Sequence, residues 1–417
     1  MRIILTICLS LIFVPMQTFA QVAVETPPPS YIRTVLFNGM DTYSGTPIIQ
    51  LGQGLTLEFD DLVGDEANYY YTIQHYNYDW TPSELVKSEY LEGFDNVRIS
   101  NYSNSFNTLQ LYSHYRLEIP NRDTRRLKVS GNYMISIFNE QDELVFSRKF
   151  MIYEPLATVA VEVKRSREVK LIEHRQIVNF SVTTPQLILK NPEGNVKVTI
   201  MQNSNLKTAI RNLKPQYSIG NELIYKYDRR TSFPGGNEYL DFDSKDLRAA
   251  TVSIRKIEVL DLYHHYLYPD WIRALEPYTY NPDINGNFLI NILRGNNPAI
   301  EADYIWTHFF LRTYEPIEAG EVHLYGSFNN YVLDETTLLT YNTRTGYYEN
   351  ARLFKQGFYN YKYVLLREDG TLDEGYFSGN FAKTENDYTV IVYYRDPAAR
   401  YDHIIGVGTA NSRMISN

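Results

Sequence analysis

Residues 69–94 read YYYTIQHYNYDWTPSELVKSEYLEGF, and residues 101–115 read NYSNSFNTLQLYSHY. Along an extended chain successive side chains point to opposite faces, so Tyr69, Tyr71, Ile73 and His75 share one face and Tyr70, Thr72, Gln74 and Tyr76 the other. That alternation predicts a half-buried strand. Pro82 has no backbone N–H and biases Thr81 toward an extended conformation, so the ladder is expected to stop near Trp80. Trp80 itself is expected to close the open end of a sandwich core. The next loop carries Glu84, Glu89, Tyr90 and Phe94.

Working outward, short apolar runs at 55–59, 117–119, 133–138 and 145–152 alternate with Gly, Asn and Asp turns. The last two are predicted to face each other across a hairpin at 139–142. This spacing of short strands is the pattern of an immunoglobulin-like sandwich, assigned here to residues 31–155, with Glu154 and Pro155 at its end. A central sandwich over 156–315 is expected from strands at 177–183, 196–201, 222–227, 250–259 and 288–293. Only Leu206, Ile210 and Leu213 show helical spacing, and Pro215 cuts it short. Glu315 and Pro316 mark the next boundary. A third unit, 316–404, opens with Val322, Leu324 and the turn at 326–330 and closes at 388–394, leaving 405–417 as a polar tail that is disordered or docked. The expected fold is all-β: tandem immunoglobulin-like β-sandwich domains with little helix.

The chain starts with Arg2, an apolar run over 3–14 and the small-residue end Ala20, which reads as a secretory signal peptide cleaved after residue 20. Its apolar run is shorter than the ~20 residues a membrane helix needs, and Pro15 and Gln17 break any extension of it. No later segment reads as an integral membrane span. The single cysteine, Cys8, lies within this leader after Ile7, where a lipoprotein signal has a small residue, so neither a lipid anchor nor a disulfide is expected in the mature chain. Residues 21–30, with Pro27, Pro28 and Pro29, read as a stiff spacer. Removing the leader takes away Arg2 and moves the balance of 40 basic and 49 acidic residues to a net of about −10. That excess argues against nucleic acid and against an anionic membrane surface. The 37 tyrosines against 3 tryptophans suit sheet faces and protein interfaces, because a tyrosine buries its ring and keeps its hydroxyl wet.

Candidate chemistry is thin. Asp241, Asp243, Asp246 and Asp261 carry enough carboxylates for a hard cation, but a polar loop around Phe242 explains them. Asp283, Asn285, Gly286 and Asn287 echo a calcium loop whose sixth and twelfth positions, Phe288 and Arg294, are wrong, so a hairpin turn is expected. The adjacent His264 and His265 point to opposite faces of a strand and do not share a metal. His75 and His114 could work with Asp79 in acid–base chemistry, yet no nucleophile is placed beside them, and a structural role is the expectation. There is no phosphate loop, GxSxG elbow or HExxH. No catalytic residue, cofactor or metal is assigned, and an enzyme is not expected.

The opening segment also carries a resemblance. Tyr71, Ile73, His75, Asp79, Trp80, Pro82, Ser83, Leu85, Glu89, Tyr90, Leu91, Gly93 and Phe94, then Asn107, Thr108, Tyr112, His114, Tyr115, Gly131, Asn132 and Tyr133, are similar to the plug proteins of the type IX secretion system. Gln202, Asn203, Pro215, Phe233, Gly235, Gly236, Asn237, Glu238, Phe242, Asp243, Asp283, Asn285, Gly286, Gly326, Phe328 and Asn329 extend the likeness over nearly the whole mature chain. The resemblance implies a periplasmic protein, monomeric when free. It would bind the outer-membrane translocon barrel, SprA, and its associated subunits, and keep the periplasmic mouth closed without cargo. On that reading Tyr78, Asp79, Glu84, Glu89, Tyr90, Phe94, Phe328, Asn329 and Tyr331 are the interface candidates. Trp80, Pro82, His75, His114, Tyr115, Gly235 and Gly236 are structural signature residues. The rival is a periplasmic carbohydrate-binding sandwich. VHLYGSFNNY at 322–331 and the later Tyr347, Tyr348, Tyr359, Tyr361 and Tyr363 resemble starch-binding modules, whose aromatic platforms stack on sugars.

Overall fold

Residues 21–39 and 46–415 are described in a computed structural model, so the expected signal peptide and Cys8 lie outside the described residues. Strands make up 45% and helices 4% of the described residues. The first unit is a sandwich. A four-stranded sheet in the order Ile32–Gly39, Leu55–Asp61, Ser113–Ile119, Tyr102–Asn104 packs on a five-stranded one in the order Ile48–Gln50, Leu144–Tyr153, Gly131–Phe138, Tyr70–Tyr76, Val97–Arg98. Rings fill the space between them: Phe59 stacks on Tyr115 at 5.1 Å and Tyr133 on Phe150 at 5.2 Å. Tyr71, Ile73 and His75 point into this core, as the alternation requires. The expected hairpin is present, with Asn139 Oδ1 accepting the N–H groups of Gln141 and Glu143.

His75 is held on both ring nitrogens, Nε2 at 3.1 Å from the Ser130 carbonyl and Nδ1 at 2.8 Å from Ser83 Oγ. A carbonyl only accepts, so Nε2 carries a proton. Burial lowers its pKa to about 4. The unfolded chain therefore takes up a proton first. The stability this ring confers is present above about pH 6.5 and is lost as pH falls toward 4. Comparing wild type with His75→Gln by denaturant titration, the difference is expected to shrink by about 3 kcal/mol between pH 7 and pH 4. Asp270 and Asp283, raised to about 6 by burial, act in the opposite sense but are common to both proteins and cancel.

The remaining sheets divide the chain differently from the expected boundaries. The second sandwich uses the sheet Thr158–Arg165, Arg175–Thr183, Glu222–Tyr225, Tyr217–Ile219 and, facing it, Ile210–Arg211, Val196–Gln202, Asp387–Tyr394, His403–Asn411. Its core joins Val178, Phe180 and Ile200 to Tyr388, Val390 and Ile405. Residues 387–411 thus complete the second unit, and the segment expected as a tail is a strand with Ser412 buried behind it. The third unit is inserted between them. In it Tyr304–Arg312 pairs with Tyr347–Lys355 across the boundary expected at 315 and 316. A Glu-Pro pair marks where a chain leaves one ladder but carries no information on which strand it returns to. Leu206, Ile210 and Leu213 lie in an irregular connection and a short strand, without helix.

Gly235 and Gly236 stand where the chain crosses from the second sandwich into the insertion. A Cβ on Gly235 would overlap the Phe381 carbonyl, 2.6 Å from its carbon, and Gly236 has φ +67°. Because backbone cannot yield as a side chain tip does, Gly235→Ala is expected to cost about 2 kcal/mol, read as a lowered thermal midpoint. Gly236→Ala, with open space around it, should cost about 1 kcal/mol from its left-handed backbone alone.

Candidate functional site

The loop after Tyr70–Tyr76 turns back on itself through Asp79, whose Oδ1 accepts the Thr81 N–H at 3.0 Å and the Thr81 hydroxyl at 2.6 Å. This local turn is what occupies Asp79. Tyr78, expected on the surface, is only 7% exposed. Its hydroxyl donates to the Val198 carbonyl at 3.1 Å and accepts the Asn212 N–H at 2.9 Å, and its own N–H reaches Asp402 at 3.0 Å. It is a rivet between the first two sandwiches. Trp80 is 3% exposed, but it does not close the first core. It lies with Tyr76, Met134 and Met151 against Met201, Ile391, Tyr393 and Ile404 of the second sandwich. The Lys149 ammonium sits 4.2 Å from its ring. Tyr76 is buried for the same reason, from the face the alternation turns away from its own core.

A second seam joins the first unit to the insertion. Asp60 is fully buried, with Oδ1 2.7 Å from His114 Nδ1 and Oδ2 2.6 Å from both Lys355 Nζ and the Tyr304 hydroxyl. Burial works to raise its carboxyl, and the Lys355 ammonium and His114 outweigh it, so it lies below the ordinary carboxylate value. Burial lowers the Lys355 ammonium against the attraction of Asp60. His114, Asp60, Lys355 and Tyr304 are bonded to one another and hold the two units together. The seam borders a cavity of about 280 Å³ lined by Leu36, Phe288, Leu289 and Ser327. Neither Asp60 nor Lys355 was singled out in the sequence. Both stand in strands where alternation assigns a face, and the surface that covers them comes from another unit.

The other interface candidates separate into covered and free. Tyr331 is 4% exposed and packs on Tyr325 at 4.9 Å. Phe328 is half-buried against Phe354, and Asn329 donates to the Val332 carbonyl at 2.6 Å. The neighbouring Asn330 donates to Glu25, which fastens the Pro-rich spacer to this turn. Tyr90 is buried, with its phenol pushed up to about 12 by burial. Glu89 accepts the Val86 N–H at 2.9 Å and pairs with Arg400 of the second sandwich, which together hold its carboxyl below the usual range. Glu84 and Phe94 are left facing solvent, and Phe94 is 73% exposed. Pro82 lies exposed in the same loop, while Tyr115 donates to the Ala67 carbonyl at 2.6 Å.

Of the residues expected to form a sugar-binding platform, Tyr348, Tyr359, Tyr361 and Tyr363 are buried in the core of the insertion, and Tyr347 is half-buried. His264 pairs instead with His308 on the adjacent strand at 2.9 Å, a contact unseen in sequence because the two are far apart in the chain. Among the described residues no group of three or more His, Cys, Asp or Glu is arranged to hold a metal ion. Asp283 accepts the Asn285 N–H at 2.7 Å, the turn expected there.

Residues 32–154, the first sandwich and its signature loop, match the family described as type 9 secretion system plug protein 1st domain. A solved structure described as a hypothetical protein from Parabacteroides merdae ATCC 43184 is 33% identical, with a TM-score of 0.89, and the match covers 94% of this chain and 100% of that one. The chain belongs to the type IX secretion system plug proteins. The similarity to the Parabacteroides protein runs through the second sandwich and the insertion as well. A biofilm associated protein, BSP domain, aligns at 8% identity with a TM-score of 0.18, covering 95% of this chain and 61% of that one, and carries no argument. No curated protein matches the chain. The plug family is a structural component of the secretion machinery. Among the described residues no helix is long and apolar enough to cross a membrane.

Proposed function

We propose that this plug protein is a non-catalytic periplasmic subunit, exported by residues 1–20, that binds the periplasmic opening of the SprA-like translocon barrel. There it occludes the pore when no cargo is in transit. Occlusion asks for a body that does not deform under a passing load. The observation that carries the reading is the welding of all three units, by the Tyr78 and Trp80 contacts on one side and the Asp60, His114, Lys355 and Tyr304 cluster on the other. A protein built so acts by shape and contact, with binding concentrated in a few exposed anchors.

Native outer membranes solubilised in mild detergent supply the test. Pull-down of the tagged, full-length protein is expected to recover a very large barrel, and cells lacking the protein should leak small periplasmic solutes through the open pore. Recovery without a barrel partner, together with unchanged permeability, would overturn the proposal.

A further inference from the structure

At one end of the first sandwich the short strands Leu91–Gly93 and Thr124–Leu127 pair antiparallel, and the turns at 94–96 and 120–123 beside them are locked together. Phe94 donates its N–H to the Asp123 carbonyl at 2.9 Å, and the Thr124 hydroxyl donates to the Phe94 carbonyl at 2.6 Å. A Cβ on Gly93 would run into Asp123 backbone, so the loop approaches as closely as glycine permits. The Phe94 ring, with its backbone fixed at both ends, projects into solvent. Asp123, whose carbonyl accepts the Phe94 N–H, also lines a cleft of about 320 Å³ together with Arg98, Arg116 and Arg122.

Arg122, Arg125, Arg126 and Lys128 are exposed along one short stretch, with Asp123 and Glu92 as the nearby acids. No ion pair among the described residues holds Arg98 or Arg122. The chain as a whole carries a formal charge of −9, so a locally basic surface is out of character with the rest of the molecule. An exposed aromatic that is already immobile loses little freedom on binding, and arginines beside it supply orientation and rate.

We propose that Phe94 and the cleft arginines Arg98 and Arg122, with Arg116 of the same cleft already paired to Glu58 and Glu118, form the surface on which this plug protein docks an acidic protein segment bearing an apolar pocket. This rests on the plug reading and assigns that segment to the translocon. The interleaved Glu92, Asp123 and Glu118 make a mosaic that a uniformly anionic lipid surface does not match but a protein rim of complementary pattern does.

The test uses the full-length protein over purified translocon barrel immobilised in detergent, with phosphatidylglycerol vesicles in parallel. Phe94→Ala is expected to weaken retention about 30-fold. The double variant R98E/R122E should weaken it at least ~10-fold and flatten its salt dependence. Arg344→Glu, on an exposed turn of the insertion, should bind as wild type, and unchanged melting profiles would confirm that all variants fold. Wild type that fails to bind the barrel sinks the plug reading itself. Wild type that binds while Phe94→Ala and R98E/R122E bind equally well overturns the docking surface alone. Variants that lose vesicle retention and keep the barrel also overturn it, in favour of a lipid contact.

Discussion

Replacing Lys355 by Met is expected to lower stability by about 3–5 kcal/mol. Asp60 and Lys355 are each about 1% exposed in their side chains, and the ammonium also donates to the Ala299 carbonyl at 2.6 Å. With the ammonium gone, the Asp60 carboxylate stays buried and keeps only His114 and the Tyr304 hydroxyl as hydrogen-bond partners. The double variant D60N/K355M removes the unpaired charge and keeps an amide for His114 and Tyr304. It should recover most of the loss, since a neutral, hydrogen-bonded pair avoids the desolvation cost. Chemical denaturation of wild type, single and double variants reads the cycle. Equal instability in both variants would mean that lost packing against Tyr112, not the stranded charge, is responsible. Because Asp60 lies below the ordinary carboxylate value, its contribution persists above the unfolded value near 3.8 and is lost only as pH falls through the lowered one.

Trp80→Ala should cost a similar amount, about 3–5 kcal/mol, through the cavity it leaves between two sandwiches. The ring fills a space bounded by Tyr76, Met151 and the Lys149 ammonium, and the Trp80 carbonyl accepts the Ala23 N–H at 2.9 Å. Its effect should differ in kind from that of a mutation inside one core. With the seam weakened, the connection around residues 154–158 is expected to become more sensitive to protease at temperatures where each sandwich is still folded, and Trp80→Phe should restore most of the protection. Protection unchanged in Trp80→Ala would show that Tyr78, with its three hydrogen bonds across the same seam, suffices.

These two residues also mark how far the sequence could be read. The strand at 70–76, the hairpin at 139–142 and the runs that became Val196–Gln202 and Asp387–Tyr394 were legible, because alternation and turn residues are local signals. The pairing of those last two strands across the whole insertion was not, since hydrophobic pattern specifies a face and leaves the partner open. For the docking surface, Phe94 stood out in the sequence as an interface candidate, whereas the basic residues at 122–128 did not, because only the backbone contact to Asp123 sets the two side by side.

Alternation, turn residues and the signature around Trp80 suffice to identify an all-β protein of the plug family and the side of a strand such as Tyr70–Tyr76 that meets its own core. Tertiary structure alone decided that Tyr76, Tyr78 and Trp80 are covered from the far side, that Asp60 and Lys355 meet, and that residues 387–411 complete a sandwich begun near 158. The physical reason is range: side-chain direction along a strand is fixed by the chain's own geometry, whereas burial of its second face depends on a surface arriving from hundreds of residues away.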